Sequence, residues 1–458
     1  MAMEAGDTCR SIVSDVSQKT KPDMVFKRAR AAAEKMRTMD FESRVQILRS
    51  AEAAMRAGAD ELVNSMIDET AIPLRHARDL FAMSLKKLNY SYGYLSQMGT
   101  DCYPELQSDR VAFTLSEPFG IVFAVFPFIT PLYLAAEIFT AAIITGNTIV
   151  YHAPEEVSDS FSKMRDIFIE AGVPEDALIS LTCVTSEDVV RAAQHPEIDI
   201  VVSMAGSYGR ALSSAAGGAL KQAWLSITGK NPTLVFEDAD VDLAARETAW
   251  SANFISGLVC TDTELVLVQR SIAKEFKEKL VEYVKQLRVG DPWDESVDVG
   301  PIVFPRIVEN ATRQLSEAVA AGAKVVCGGE VNGAYFQPTV LEGVRPDMAI
   351  AQERTSAPIT PLVEFSREEE AIALANNNPY GLRASVFTRD LARAFRVVGQ
   401  IKAGGIMVNH APFHHEATYP SGGYKQSGLG TLRYLIEELR RKKLVVFHNV
   451  PMAGFAAS

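Results

Sequence analysis

A cysteine at the end of an apolar run is the strongest candidate in this chain for covalent chemistry. Cys260 closes Phe254-Ile255-Ser256-Gly257-Leu258-Val259-Cys260 and precedes Thr261. As a thiolate it would attack an electrophilic carbonyl carbon. As a thiol in apolar company it is a small buried hydrophobe, and the run alone does not choose between the two. The other cysteines (Cys9, Cys102, Cys183 and Cys327) are scattered without a C-x-x-C pair, which fits a reducing compartment rather than a metal or disulfide framework. His410, His414 and His415 fall in one loop, Asn409-His410-Ala411-Pro412-Phe413-His414-His415-Glu416. They are either solvated loop residues or a source of a general base or an acid-binding group. H-H-E lacks the H-E-x-x-H spacing of a zinc helix, and no metal is predicted.

These residues need a large folded frame, and the composition supplies one. The 458 residues suggest two to three domains at roughly 150 residues each. With 47% hydrophobic and 22% charged residues the chain is an ordinary soluble globular one. A net charge of -11 without a basic block argues against nucleic acid or an anionic membrane as partner. The first residues lack the basic start and apolar core of a signal peptide, and a cytoplasmic location is expected. Between Phe119 and Pro154 the only charge is Glu137, yet Pro127, Pro131 and Gly146 interrupt the stretch. It reads as a buried strand, helix and strand rather than a membrane span.

Along the chain, residues 24–58 read as amphipathic helices, and 111–126 as strands around a turn at Glu117-Pro118. From Gly120 to Phe236 the runs IVFAVF, NTIVY, ALISLTCV, IDIVVSM and NPTLVF alternate with helical stretches, which predicts a parallel sheet covered on both faces. Beyond Ala244 a second such pattern follows with LVLVQ, AKVVCGG, PLVEF, RASVFT and GGIMVN. The apolar tail Leu444–Val450 reads as a strand after a charged helix. It needs an edge to pair with, and a partner subunit is one candidate.

The run around Cys260 resembles the nucleophile motif of the aldehyde dehydrogenase superfamily. Leu225-Ser226-Ile227-Thr228-Gly229-Lys230-Asn231-Pro232 resembles that superfamily's E-L-G-G-K-N-P. Collinear matches include Glu117-Pro118-Phe119-Gly120, Gly146-Asn147-Thr148-Ile149-Val150, Ala171-Gly172-Val173-Pro174, Asn378-Pro379-Tyr380-Gly381-Leu382 and Gly422-Gly423-Tyr424-Lys425-Gln426-Ser427-Gly428. The resemblance runs from about residue 25 to 448. It implies an α/β fold: a Rossmann-like cofactor domain (1–99 and 117–229), an α/β catalytic domain (230–440) and a small β oligomerisation flap (100–116 and 441–458). It also makes Cys260 the catalytic thiol, with His152, Glu155, Ser207 and Gly209 at the positions that meet the cofactor.

The departures from the family's pattern are as informative. Its general-base Glu corresponds to Ser226, which cannot take a proton near neutral pH as a carboxylate does. The Asn that helps hold the oxyanion corresponds to Ile129, the first Gly of the cofactor loop to Met204, and the Glu that holds the nicotinamide ribose to Arg354. The resemblance therefore implies an oxidoreductase using NAD or NADP, with Cys260 carrying a thioester. Its substrate is a small aldehyde or acyl thioester, and the reaction is acylating or reductive, with coenzyme A or another thiol as candidate co-substrate. The altered positions equally admit a repurposed or non-oxidoreductive relative. A homodimer or homotetramer with the C-terminal strand at the contact is expected.

Overall fold

The computed structural model describes residues 22–103, 110–182, 185–414, 416, 419–420, 422–429 and 435–448. Four helices open the described chain: Pro22–Thr38, Phe41–Ala57, Ala59–Thr70 and Leu74–Asn89. Each buries one stripe, such as Phe26, Ala29 and Met36 on the first, as three- and four-residue spacing requires. Asp40 starts the second by accepting from Ser43 N at 2.7 Å, which satisfies a donor that the first turn leaves free.

The stretch after Phe119, charged only at Glu137, folds as a strand, a helix and a strand. Ile121–Val125 and Thr148–His152 are buried throughout. The helix between them, Pro131–Thr145, buries every residue except the part-exposed Glu137. No helix among the described residues is long and apolar enough to cross a membrane. Five parallel strands make the first sheet, in the order Leu178–Ser180, Thr148–His152, Ile121–Val125, Ile200–Ser203, Gln222–Leu225. The chain leaves Ile121–Val125 first to one side and later to the other. A crevice therefore opens at the carboxyl ends of Ile121–Val125 and Ile200–Ser203, where such sheets bind ligands.

The second sheet has seven strands in the order Lys324–Cys327, Thr339–Glu342, Ile359–Phe365, Leu265–Gln269, Pro232–Val235, Arg383–Phe387, Gly405–Val408. All its pairs are parallel except the outer pair of Lys324–Cys327 with Thr339–Glu342. A third sheet stands apart, with Arg110–Pro118 between Cys102–Tyr103 and Arg440–His448.

Three readings are corrected. The tail strand begins at Arg440 rather than Leu444 and pairs along its whole length with Arg110–Pro118 of the same chain, and among the described residues just before it Leu435–Glu438 is helical. Its basic residues look helical in sequence, but Lys443 pairs with Glu117 at 2.6 Å and Lys442 with Asp101 at 2.5 Å across the strands. The first of these strands runs through Glu117-Pro118, and Gly120, at φ 124°, makes the break instead. The strand Gln222–Leu225 was passed over, because four half-apolar residues give too short a pattern.

Candidate active site

The carboxyl ends of the first sheet's strands and the amino ends of the second's meet at a cavity of about 280 Å³. From the first sheet come the loop Phe126–Thr130, after Ile121–Val125, and Met204, Gly206 and Tyr208, after Ile200–Ser203. From the second come Cys260 and Thr261 before Leu265–Gln269, Arg354 and Ser356 before Ile359–Phe365, and Arg383 at the head of its own strand. Leu80, Met83, Leu134 and Phe413 give one end of the cavity an apolar wall.

The turn that delivers Cys260 is built under strain. Ile255, Ser256 and Gly257 are all left-handed, at φ 50°, 55° and 72°. For non-glycine residues such a conformation costs on the order of 1–3 kcal/mol and persists only where surroundings enforce it. Ser256 Oγ donates to Gly300 O and accepts from Gly300 N, both at 3.0 Å. A side chain on Gly257 would come within 2.4 Å of the Ala357 carbonyl carbon, so only glycine fits. Asn231 closes the turn from below. Its amide donates to Cys260 O at 2.9 Å and Asp262 O at 2.7 Å, and its oxygen accepts from Arg383 N at 3.0 Å.

Beneath the thiol lies a buried ion network. Arg354 holds Asp262 at 2.7 Å and Glu264 at 3.0 Å, and Lys230 holds Glu264 at 3.1 Å. Arg354 also donates to Val259 O at 2.7 Å and Ser356 Oγ at 2.9 Å. Burial pushes Asp262 up to about 8, opposed by Arg354 and assisted by Glu264. Glu264 is held below its ordinary value despite burial, through Arg354, Lys230 and two backbone N–H groups. For Cys260, burial raises the thiol above its usual value, while Arg354, Arg383 and its own backbone N–H pull the other way. Two guanidinium groups and an N–H thus favour the thiolate within a site that otherwise suppresses it.

The residues singled out in sequence are distributed unevenly around this cavity. Ser226, Ile129 and Met204 all line it, as do Cys260 and Arg354. Ile129 offers no side-chain donor there, but the amino end of the helix Pro131–Thr145 faces the same space through Thr130, at φ 52°. His152 ends its strand buried, with Nδ1 3.4 Å from Leu181 O, and burial lowers its pKa. Pro154, two residues on, reaches the cavity wall, and Glu155 follows it, exposed, at the start of a short helical turn. Ser207 lies in the turn Gly206–Tyr208, and Gly209 begins the helix Gly209–Gly218. A Cβ on Gly209 would lie 2.2 Å from Ile227 Cδ1, so a side chain at this helix start would have to displace the end of Ile227. His410 and His414 line a second cavity with Glu416 and do not reach the wall around Cys260. They are therefore not placed to act on a thioester there. Cys9, Cys183 and His415 lie outside the described residues.

Sequence reasoning missed the acidic partners at Asp262 and Glu264, two and four residues beyond Cys260. It also missed Arg383 and the pair of Lys87 with Glu137, 3.1 Å apart and mostly buried. Charges next to an apolar Cys run, and one Glu in an otherwise apolar helix, were the available signals.

A model of the aldehyde dehydrogenase family matches residues 10–445. Among solved structures, the chain is 29% identical to a glyceraldehyde-3-phosphate dehydrogenase from Methanocaldococcus jannaschii complexed with NADP, covering 93% of this chain and 94% of that one at a TM-score of 0.88. It is 28% identical to an NAD-dependent aldehyde dehydrogenase from Sinorhizobium meliloti, covering 96% and 88% at 0.89. An Escherichia coli NADP-dependent enzyme is 27% identical, covering 93% and 90% at 0.89. With its sheets, its crevice and its cysteine turn in this arrangement, the chain belongs to the aldehyde dehydrogenase family.

Proposed function

We propose that the protein is a nicotinamide-dependent oxidoreductase that interconverts an aldehyde and an acyl derivative through a thioester on Cys260, acylating or reductive rather than hydrolytic. The observation that carries this is the wall around the thiol. Ser226, which the sequence resemblance sets at the position of the family's base, lines it, and among the described residues the only carboxylate lining the cavity is Glu137, held by Lys87.

The crevice fits a dinucleotide. Gly206 and Gly209 leave its floor without side chains under Ile227, at the start of a helix whose free N–H groups suit a phosphate. The turn at 206–209 would hold the diphosphate, and Glu155 beside Pro154 would meet the adenosine ribose. When bound, the dinucleotide accepts or supplies the hydride. Cys260 Sγ adds to the aldehyde carbon, whose carbonyl electron pair moves to oxygen. The Cys260 N–H and the amino end of Pro131–Thr145 face that oxyanion. Loss of hydride restores the carbonyl as a thioester, and an incoming thiol then takes the acyl group and frees Cys260. Arg354 cannot hold a ribose as a carboxylate does, because its donors are committed to Asp262, Val259 and Ser356. The exposed flap strand Arg440–His448 is proposed to join subunits into a dimer or tetramer.

Protein incubated with an aldehyde and NAD or NADP should accumulate an acyl adduct by mass spectrometry, discharged faster by added thiol than by water. Ser226→Glu should speed hydrolysis by roughly 100- to 10,000-fold, the usual worth of a positioned base. Rapid release of free acid by the unmodified protein would overturn the acylating reading. Absence of both adduct and cofactor binding would favour a non-oxidoreductive role.

A further inference from the structure

We propose that Arg383 is an anion-binding residue, and that the aldehydes this protein selects carry a carboxylate remote from the carbonyl; this rests on the reading of the cavity as an aldehyde site. Arg383 is only 5% exposed, yet it lines the Cys260 cavity. Three other cations near the cavity are paired: Arg354 with Asp262 and Glu264, Lys230 with Glu264, Lys87 with Glu137. Arg383 is not. Among the described residues its Nη1 donates only to two backbone carbonyls, Leu382 O at 3.3 Å and Gly422 O at 3.5 Å, and its buried Nε has no partner. Among the described residues no carboxylate lies within ion-pair distance of it, and Glu137 acts on it only through space.

A buried guanidinium without a counter-ion is costly, and proteins keep one where a ligand supplies the missing charge. The planar fork suits a carboxylate, which takes two parallel hydrogen bonds. One cation balances one negative charge, which favours a carboxylate over a doubly charged phosphate. Arg383 also borders the second cavity, with His410, His414 and Glu416. Its electrostatic partners are nevertheless Cys260, Tyr133 and Glu137, all of the first cavity. The apolar walls at Leu80, Met83 and Leu134 would take the methylene chain between the two ends of the substrate.

The test uses the full-length protein and two readouts. In the first, pentanedioate, the uncharged pentanamide and inorganic phosphate are compared for protection of Cys260 against iodoacetamide, with no turnover required. Pentanedioate should protect at least about tenfold better than pentanamide, as expected for a charged hydrogen bond. Arg383→Met should lose that difference, and Arg383→Lys should recover part of it. In the second, kcat/KM is compared for straight-chain aldehydes of equal length ending in carboxylate or methyl, and the ratio should fall toward one in Arg383→Met. A purely structural Arg383 would instead lower the melting temperature of Arg383→Met without changing either ratio, and this would overturn the proposal. Equal protection by pentanedioate and pentanamide would also overturn it, as would protection unchanged in Arg383→Met. Stronger protection by phosphate would overturn the carboxylate assignment. Selective protection by pentanedioate without turnover of any aldehyde would support Arg383 and refute the proposed reaction.

Discussion

Removing Arg354 should leave two buried carboxylates, Asp262 and Glu264, with Lys230 as their one remaining cation. The guanidinium now supplies an ion pair to Glu264 at 3.0 Å and hydrogen bonds to Asp262 and to Val259 O, both at 2.7 Å. Breaking a buried pair from one side costs about 3–5 kcal/mol, so Arg354→Met should lose that much stability in urea unfolding. Asp262→Leu alone leaves Arg354 its pairing with Glu264 and should cost less, about 1–3 kcal/mol. The double replacement removes both partners and should fall short of the sum by about 1–3 kcal/mol. The loss should also depend on pH. Asp262 stands near 8 in the folded protein against an ordinary 3.8. The folded state therefore keeps a proton that the unfolded state has released, and this carboxyl's contribution falls as pH rises from about 4 to 8. Without Arg354 the charged form is harder still to bear, so Arg354→Met should lose more at pH 9 than at pH 6. Strict additivity in the double variant, or a loss independent of pH, would refute the coupling.

Other outcomes follow from the same geometry. Cys260→Ala should abolish turnover and acyl labelling, whereas Cys327→Ala should be tolerated; an adduct persisting in Cys260→Ala by mass spectrometry would refute the assignment. The pH midpoint for alkylation of Cys260 should lie above that of an ordinary cysteine, because burial outweighs its cationic neighbours. Arg354→Met should move it higher, and a downward move would show that Arg354 does not support the thiolate. In the flap, Leu444 is 63% and Phe447 51% exposed on an edge strand. Light scattering should show a dimer or larger assembly that Leu444→Glu with Phe447→Glu converts to monomer, and a monomeric unmodified protein would exclude this contact.

Much of the frame was legible because its signals are local. Buried parallel strands such as Ile121–Val125 are continuous β-branched and aromatic runs, and the helix after Thr130, apolar but for Glu137 and two threonines, reads as core. The place of Cys260 at the cavity was legible through its neighbours. The ion network was not, since Lys230, Asp262, Glu264 and Arg354 belong to three segments joined only in the fold. Reading Arg354 as a lost carboxylate missed that its guanidinium is held by Asp262 and Glu264. The histidine loop misled for the same reason: its proximity to Phe413, which lines the Cys260 cavity, says nothing of which way His410 and His414 open.

Asn231 bears on how this site can change over generations. All three hydrogen bonds of its side chain are spent, two on the nucleophile turn and one on the backbone of Arg383. A Cβ on Gly229 would strike its oxygen at 2.2 Å, so the neighbouring chain has no room to accommodate a larger or tilted group. The backbones that carry the thiol and the guanidinium therefore cannot drift apart one mutation at a time. New substrate preferences must come from exchanging the side chains that face the cavity, at 129, 137, 204 or 383, on a backbone that stays where it is.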